Sequence, residues 1–203
     1  LGWNPGDDRE VLSLEEMVHE FRFERVSKSG AVFDREKLNW MNQQYLLKLP
    51  EEEYFRMIDD VIQKGDYHDQ DPGKIRQAAE ILKTRLVTLS DLNQKLGLFF
   101  EENPEIKDLQ AIEVLKEENS KTVLKEFLQQ AENLDQLTSE NLGQLVKSVQ
   151  KTTGIKGRGL WMPLRCAITR EVSGPELPAM LDFFGGEKCL HLIRQTLENP
   201  SLN

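Results

Sequence analysis

Apolar side chains recur every three or four positions along most of this chain, and no segment alternates strictly, so the pattern predicts helices and no sheet. SLEE at Ser13, with Glu16 three residues on, is a capping-box pattern and predicts a short helix over 13–21. Asp34 caps a second helix over 34–47, with Leu38, Met41 and Tyr45 on one face. Trp40 and Leu47 fall beside that stripe, which predicts contacts on more than one side and places Trp40 in the core. Pro50 and the acidic run Glu51, Glu52, Glu53 open a helix that buries Tyr54, Ile58 and Val61 and stops near Gly65. Asp71 and Pro72 open the next, with Ile75, Ala78, Ala79 and Leu82 inward.

Shorter helices follow over 90–96 and from Asn103, Pro104 and Glu105. A longer one from Ser120 carries Val123, Leu124, Phe127 and Leu128, and Thr138 caps another through Leu142, Leu145, Val146 and Val149. The stretch GRGLWMPLRCAITREVSGPEL (157–177) breaks the pattern and reads as a loop. Pro175 then begins a helix over Leu177, Met180, Leu181 and Phe184, and the glycines at 185 and 186 separate it from a last helix with Leu190, Ile193 and Leu197. The fold class is all-α, with no tandem repeat of fixed period.

Charge changes this picture more than length does. The 203 residues carry a net charge of −9, which argues against nucleic acid as a partner. The charge is unevenly spread: residues 99–141 hold eleven acidic and four basic side chains, whereas 151–170 hold five basic (Lys151, Lys156, Arg158, Arg165, Arg170) and no acidic one. A local positive field can act despite an unfavourable total. Arginine forks take a phosphate or a base edge with two hydrogen bonds, and the glycines at 154, 157 and 159 let a ligand approach the backbone closely. Gly174 and Pro175 place a helix start, with free N–H groups that attract anions, beside this loop. The competing reading is a basic loop that balances the acidic helices through salt bridges. Trp161, flanked by Leu160 and Met162, reads as a core anchor for the loop, with a ring that stacks on an unpaired base as the alternative.

Other chemistry finds little support. Cys166 and Cys189 are too few for a disulfide scaffold and read as buried thiols, and His19, His68 and His191 are too scattered for a zinc site. No nucleophile, base and orienting group can be placed at useful spacings. SKSG (27–30) lacks the glycines and the strand of a phosphate-binding loop; it reads as a tight turn presenting Lys28 to a phosphate backbone. No apolar run is long enough for a membrane span. The first residues, LGWNPGDDRE, show no secretion signal and no initiator methionine, so the chain is expected to be a fragment.

Three stretches together carry a resemblance: LGWNPGD at the start, RVSKSGAVFDREKLNWMNQQYL (25–46) and the 157–177 stretch. Phe33, Asp34, Lys37, Leu38, Trp40, Asn42 and Tyr45 form one motif. Gly157, Arg158, Gly159, then Pro163, Leu164, Arg165, then Gly174, Pro175, Glu176, Leu177 form another. In this order the chain resembles the C-terminal half of bacterial-type glutamyl-tRNA synthetases. The resemblance implies helical anticodon-binding domains of the helical-cage type over 50–115 and 116–203, preceded by the end of a stem-contacting region over 1–49. It implies tRNA(Glu) as partner, a monomer, a cytoplasmic location and no membrane. ATP with magnesium would serve the full enzyme, and no cofactor, metal or catalytic residue would lie in this part. Arg85, in an Arg-x-x-Thr-Leu stretch ending at Thr88 and Leu89, matches a reader of the third anticodon base. Arg165 and Leu177 match readers of the first. Lys28, Lys156, Arg158, Trp161, Arg170, Gly174 and Pro175 are further candidates for RNA contact. Trp161 stands where phenylalanine is common in the family, and Arg170 where glycine is common. The alternative is an acidic helical scaffold for protein partners without RNA specificity.

Overall fold

Each segment with a capping residue ahead of an apolar stripe folds as a helix. The computed structural model describes residues 2–30 and 32–202, and among them there are ten α-helices and no strand ladder. They are α1 (Leu14–Glu20), α2 (Arg35–Lys48), α3 (Glu51–Ile62), α4 (Pro72–Leu82), α5 (Asp91–Phe100), α6 (Leu109–Lys116), α7 (Glu118–Ala131), α8 (Ser139–Thr153), α9 (Arg158–Thr169) and α10 (Leu177–Glu198). Ser13 and Thr138 make reciprocal capping boxes, with Glu16 and Asn141, while Asp34 and Asp71 each accept a first-turn N–H.

The chain divides into two compact units. The first comprises residues 1–68 and 86–93. Its core gathers Leu12, Leu46, Tyr54, Ile58, Ile62, Leu86 and Leu92. Tyr45 donates its hydroxyl to the Leu12 carbonyl at 2.7 Å, and the Asn42 amide donates to the Val87 carbonyl. Arg9 ties Asp7 and Glu20 together, and a lone bridge joins Trp3 to Val26.

The second unit comprises residues 69–85 and 94–203. Here α7, α8, α9 and α10 pack on one another, with α6 against α7 and α9, and α4 against α10. Val123, Leu124 and Phe127 of α7 meet Leu145, Val146 and Val149 of α8, Leu160, Leu164 and Ile168 of α9, and Met180, Leu192 and Ile193 of α10 in a common core. Phe99 packs edge-on against Phe183 with ring centres 4.8 Å apart, and the Lys74 ammonium lies 5.0 Å over the same Phe183 ring. Cys166 and Cys189 are free and wholly buried.

Several sequence expectations are corrected. Residues 158–169 are helix α9, not loop: Leu160, Pro163, Leu164, Ala167 and Ile168 form a buried stripe that outweighs the interruption at Pro163. Asn103 to Lys107 is non-helical, and α6 begins only at Leu109 because Asp108 caps it, accepting from Gln110 N at 2.9 Å. α10 begins at Leu177, with Pro178 rather than Pro175 in its first turn, and kinks at Gly185 where φ is 77°. α5 runs on through Phe100. Trp40 is 43% exposed and Leu38 49%, so α2 does not bury the stripe expected of it.

Candidate nucleic-acid interface

α9 carries most of the candidate chemistry, and its position follows from two glycines. Gly154 ends α8 at φ 72°, and Gly157 precedes α9 at φ 62°, so the chain reverses within a few residues where an L side chain would be strained. Lys156 lies exposed between them. On α9 the residues 158, 161 and 165 are three and then four apart, so they share one face, opposite the buried stripe. That face reads Arg158, Trp161, Arg165. Arg158 is exposed and Trp161 is 43% exposed, which corrects the expectation that the indole is a core anchor. Among the described residues, neither Lys156 nor Arg158 makes one of the ion pairs found. Their charge adds to that of the α9 N-terminus, where no side chain caps the free N–H groups.

Arg165 is held differently. Its Nη1 donates to the Gly174 carbonyl at 3.1 Å and its Nη2 to Glu176 Oε2 at 2.8 Å. Arg85, at the end of the short 3₁₀ turn Lys83–Arg85, reaches the other oxygen of the same carboxylate, with Nη2 3.5 Å from Glu176 Oε1. Two arginines eighty positions apart in sequence therefore meet on one carboxylate. At 65% exposure Glu176 adds at most about 1 kcal/mol of stability through each pair, so the arrangement orients the guanidinium groups more than it holds the fold.

The turn from α9 to α10 fixes that arrangement. Gly174 is buried directly against Thr169: a Cβ there would overlap the Thr169 hydroxyl and Cβ and come within 3.1 Å of its Cγ2. Thr169 is itself 1% exposed, with its hydroxyl 2.9 Å from the carbonyls of both Arg165 and Glu171. Asp108 joins in, accepting from Val172 N at 2.9 Å with the oxygen not used in capping α6.

Four of the RNA-contact candidates face inward. Arg170 is 6% exposed in a left-handed backbone conformation, φ 63°. Its Nη1 donates to Ala167 O at 2.8 Å and Thr196 Oγ1 at 2.7 Å, and its Nη2 to Gln195 Oε1 at 3.1 Å. Burial pushes the Arg170 guanidinium down to about 10. It stitches α9 to α10 and has no face for RNA, which corrects its candidacy. Gly174 and Pro175 are buried, and Leu177 is 3% exposed with its side chain in the core, leaving only its backbone for a base. Lys28 is exposed in the first unit, on a turn held by a 2.6 Å hydrogen bond between the Ser27 and Ser29 hydroxyls. Glu176, which bridges the two arginines, stood in the sequence motif without an assigned task; no local pattern marks a carboxylate whose partners lie 11 and 91 residues away.

Among the described residues no cluster of His, Cys, Asp and Glu could hold a metal, and no helix is long and apolar enough to cross a membrane. The glutamate–tRNA ligase of Finegoldia magna is 34% identical over 202 residues, covering 97% of this chain and 40% of that protein. That of Halalkalibacterium halodurans is 36% identical, covering 97% and 41%. The crystal structure of a glutamate–tRNA ligase from Elizabethkingia meningosepticum, in complex with its amino acid, superposes with a TM-score of 0.67 at 27% identity, over 98% of this chain and 39% of that one. The chain thus spans about two fifths of the length of these relatives. Residues 40–197 match the anticodon binding domain family, and the chain belongs to that family.

Proposed function

We propose that this chain is the anticodon-binding part of a glutamate–tRNA ligase and that its partner is tRNA(Glu). The observation that carries the reading is the outward face of α9, where Trp161 stands between Arg158 and Arg165, with Arg85 drawn to the same place as Arg165. A half-exposed indole between guanidinium groups is the chemistry that single-stranded loops meet: the ring stacks on a splayed base, and the forks bond base edges and phosphates. Within this reading Arg165 addresses the first anticodon base and Arg85 the third, Leu177 contributes through its backbone, and Lys156, Arg158 and Lys28 meet phosphates. Residues 1–49 end the stem-contacting region and the residues after them bind the anticodon; a division at 115/116 falls inside the second compact unit, at the end of α6. Ligation of glutamate with ATP and magnesium belongs to the whole cytoplasmic enzyme. Binding here orients the tRNA for that reaction, so its energy serves specificity.

The test is a salt-dependent titration of the chain with a hairpin carrying the tRNA(Glu) anticodon loop. Binding at low salt that weakens as salt rises is expected, with Trp161→Ala costing roughly 5- to 100-fold, the usual worth of one stacked base. Arg165→Ala should also weaken binding, and its effect should shrink when the first anticodon base is changed. Absence of binding at low salt would refute the reading; equal losses for every base would make Arg165 a phosphate contact.

A further inference from the structure

We infer that Glu176 is a specificity-determining residue, one that shields the Arg85–Arg165 pair from phosphate and leaves it to base edges. The inference rests on the anticodon-binding reading above. Glu176 occupies the N-cap of α10 yet makes no capping hydrogen bond to that helix. Its carboxylate turns instead to the two arginines, one oxygen to each. It is also the most exposed of the three, 65% against 33% for Arg85 and 23% for Arg165, so any RNA reaching the pair meets the carboxylate too.

The chemistry of the alternatives explains what such a placement does. Two neighbouring guanidinium groups without a carboxylate form a strong, sequence-blind phosphate site. A phosphate approaching this pair meets one negative charge between two positive ones, and repulsion by that carboxylate at short range cancels part of the attraction. A base edge presents neutral acceptors and feels little of that repulsion. Glu176 occupies one nitrogen of each arginine, and the Gly174 carbonyl takes a second of Arg165, so the N–H groups left over have fixed directions. Discrimination then comes from penalising the wrong ligand as much as from attracting the right one.

Fluorescence-anisotropy titrations of the unsubstituted chain, Glu176→Gln and Glu176→Ala test this against two hairpins, one with the tRNA(Glu) anticodon and one with its first base changed. Both variants should bind both hairpins more tightly, by about 3- to 10-fold, the worth of one charge a few ångströms away in water. The changed hairpin should gain more, so the affinity ratio falls, and the dependence of log affinity on log salt should steepen by about 0.7–0.9, as one added phosphate contact requires. Coincident melting curves are expected because the side chain is exposed. Weaker binding to both hairpins in the two variants, or an unchanged ratio and salt slope, would overturn the inference while leaving the functional reading in place. Failure of the unsubstituted chain to bind either hairpin would remove that reading, and this inference with it.

Discussion

Gly174→Ala is the most severe test of how the interface is held. The added methyl group would overlap both the hydroxyl and the Cβ of Thr169. Thr169 cannot swing aside, because it is 1% exposed and its hydroxyl is engaged between the Arg165 and Glu171 carbonyls. The backbone at 174 must therefore move, and with it the carbonyl that receives Arg165 Nη1 at 3.1 Å. Forcing a methyl group into a filled site costs about 1–3 kcal/mol, and the loss of one hydrogen bond about 1 more. A total of about 2–4 kcal/mol lowers the melting temperature by roughly 5–15 °C in a chain of this size. Circular-dichroism melts measure the first effect. Hairpin titrations well below the melt measure the second, a loss larger for the cognate anticodon than for one changed at its first base. Adding Thr169→Ala removes the hydroxyl and Cγ2 but keeps the Cβ, so it should recover only part of the stability. A Gly174→Ala chain that melts within about 2 °C of the unsubstituted one, less than 1 kcal/mol of effect, would refute the packing argument.

Two further outcomes are expected. Arg170→Ala should lower stability by about 2–6 kcal/mol, since three charge-assisted hydrogen bonds at about 1.5–3 kcal/mol each and a buried aliphatic stem outweigh the burial penalty on the cation, about 3 kcal/mol from its lowering to about 10. Below the melt it should leave hairpin affinity within about two-fold, and a large loss of affinity in a chain that melts normally would put Arg170 back at the interface. Cys166 and Cys189 should both resist iodoacetamide at pH 8 in the folded chain and both react in urea, because burial pushes each thiol up to about 12. The sign is that of a raised folded value: stability is complete below the ordinary thiol value of 9.0 and falls as pH rises above it. Labelling of either cysteine in the folded chain would contradict its burial.

Local signals were legible in the sequence, and relations across the fold were not. Ser13, Asp34, Asp71 and Thr138 announced four helix starts, because a cap is chemistry confined to four residues. The stripe of α9 was present too, at 160, 163, 164, 167 and 168, but Pro163 and the glycines at 157 and 159 hid it. Pro163 is tolerated because the carbonyl it deprives is that of Gly159 in the first turn, where the backbone is exposed and can bond water. Reading α9 as a helix puts Arg158, Trp161 and Arg165 on one face, which a loop does not require. Composition could not separate inward from outward cations: Arg170 and Arg158 look alike in the sequence, and one is buried against α10 while the other is exposed. Nor could it pair Arg85 with Arg165, whose meeting point is a carboxylate on a third segment. Of the five positive charges counted over 151–170, Lys151 lies on α8 and Arg170 is buried, and the other three stand toward the two ends of α9, which differ in character. At the N-terminal end, Lys156 and Arg158 stand beside uncapped N–H groups, an arrangement suited to phosphate. Near the C-terminal end Arg165 is oriented and half neutralised by Glu176, an arrangement suited to a neutral base edge. In the proposed reading an acidic chain would bind RNA on such a surface because affinity and discrimination would be drawn from different ends of α9, and only the first needs net positive charge.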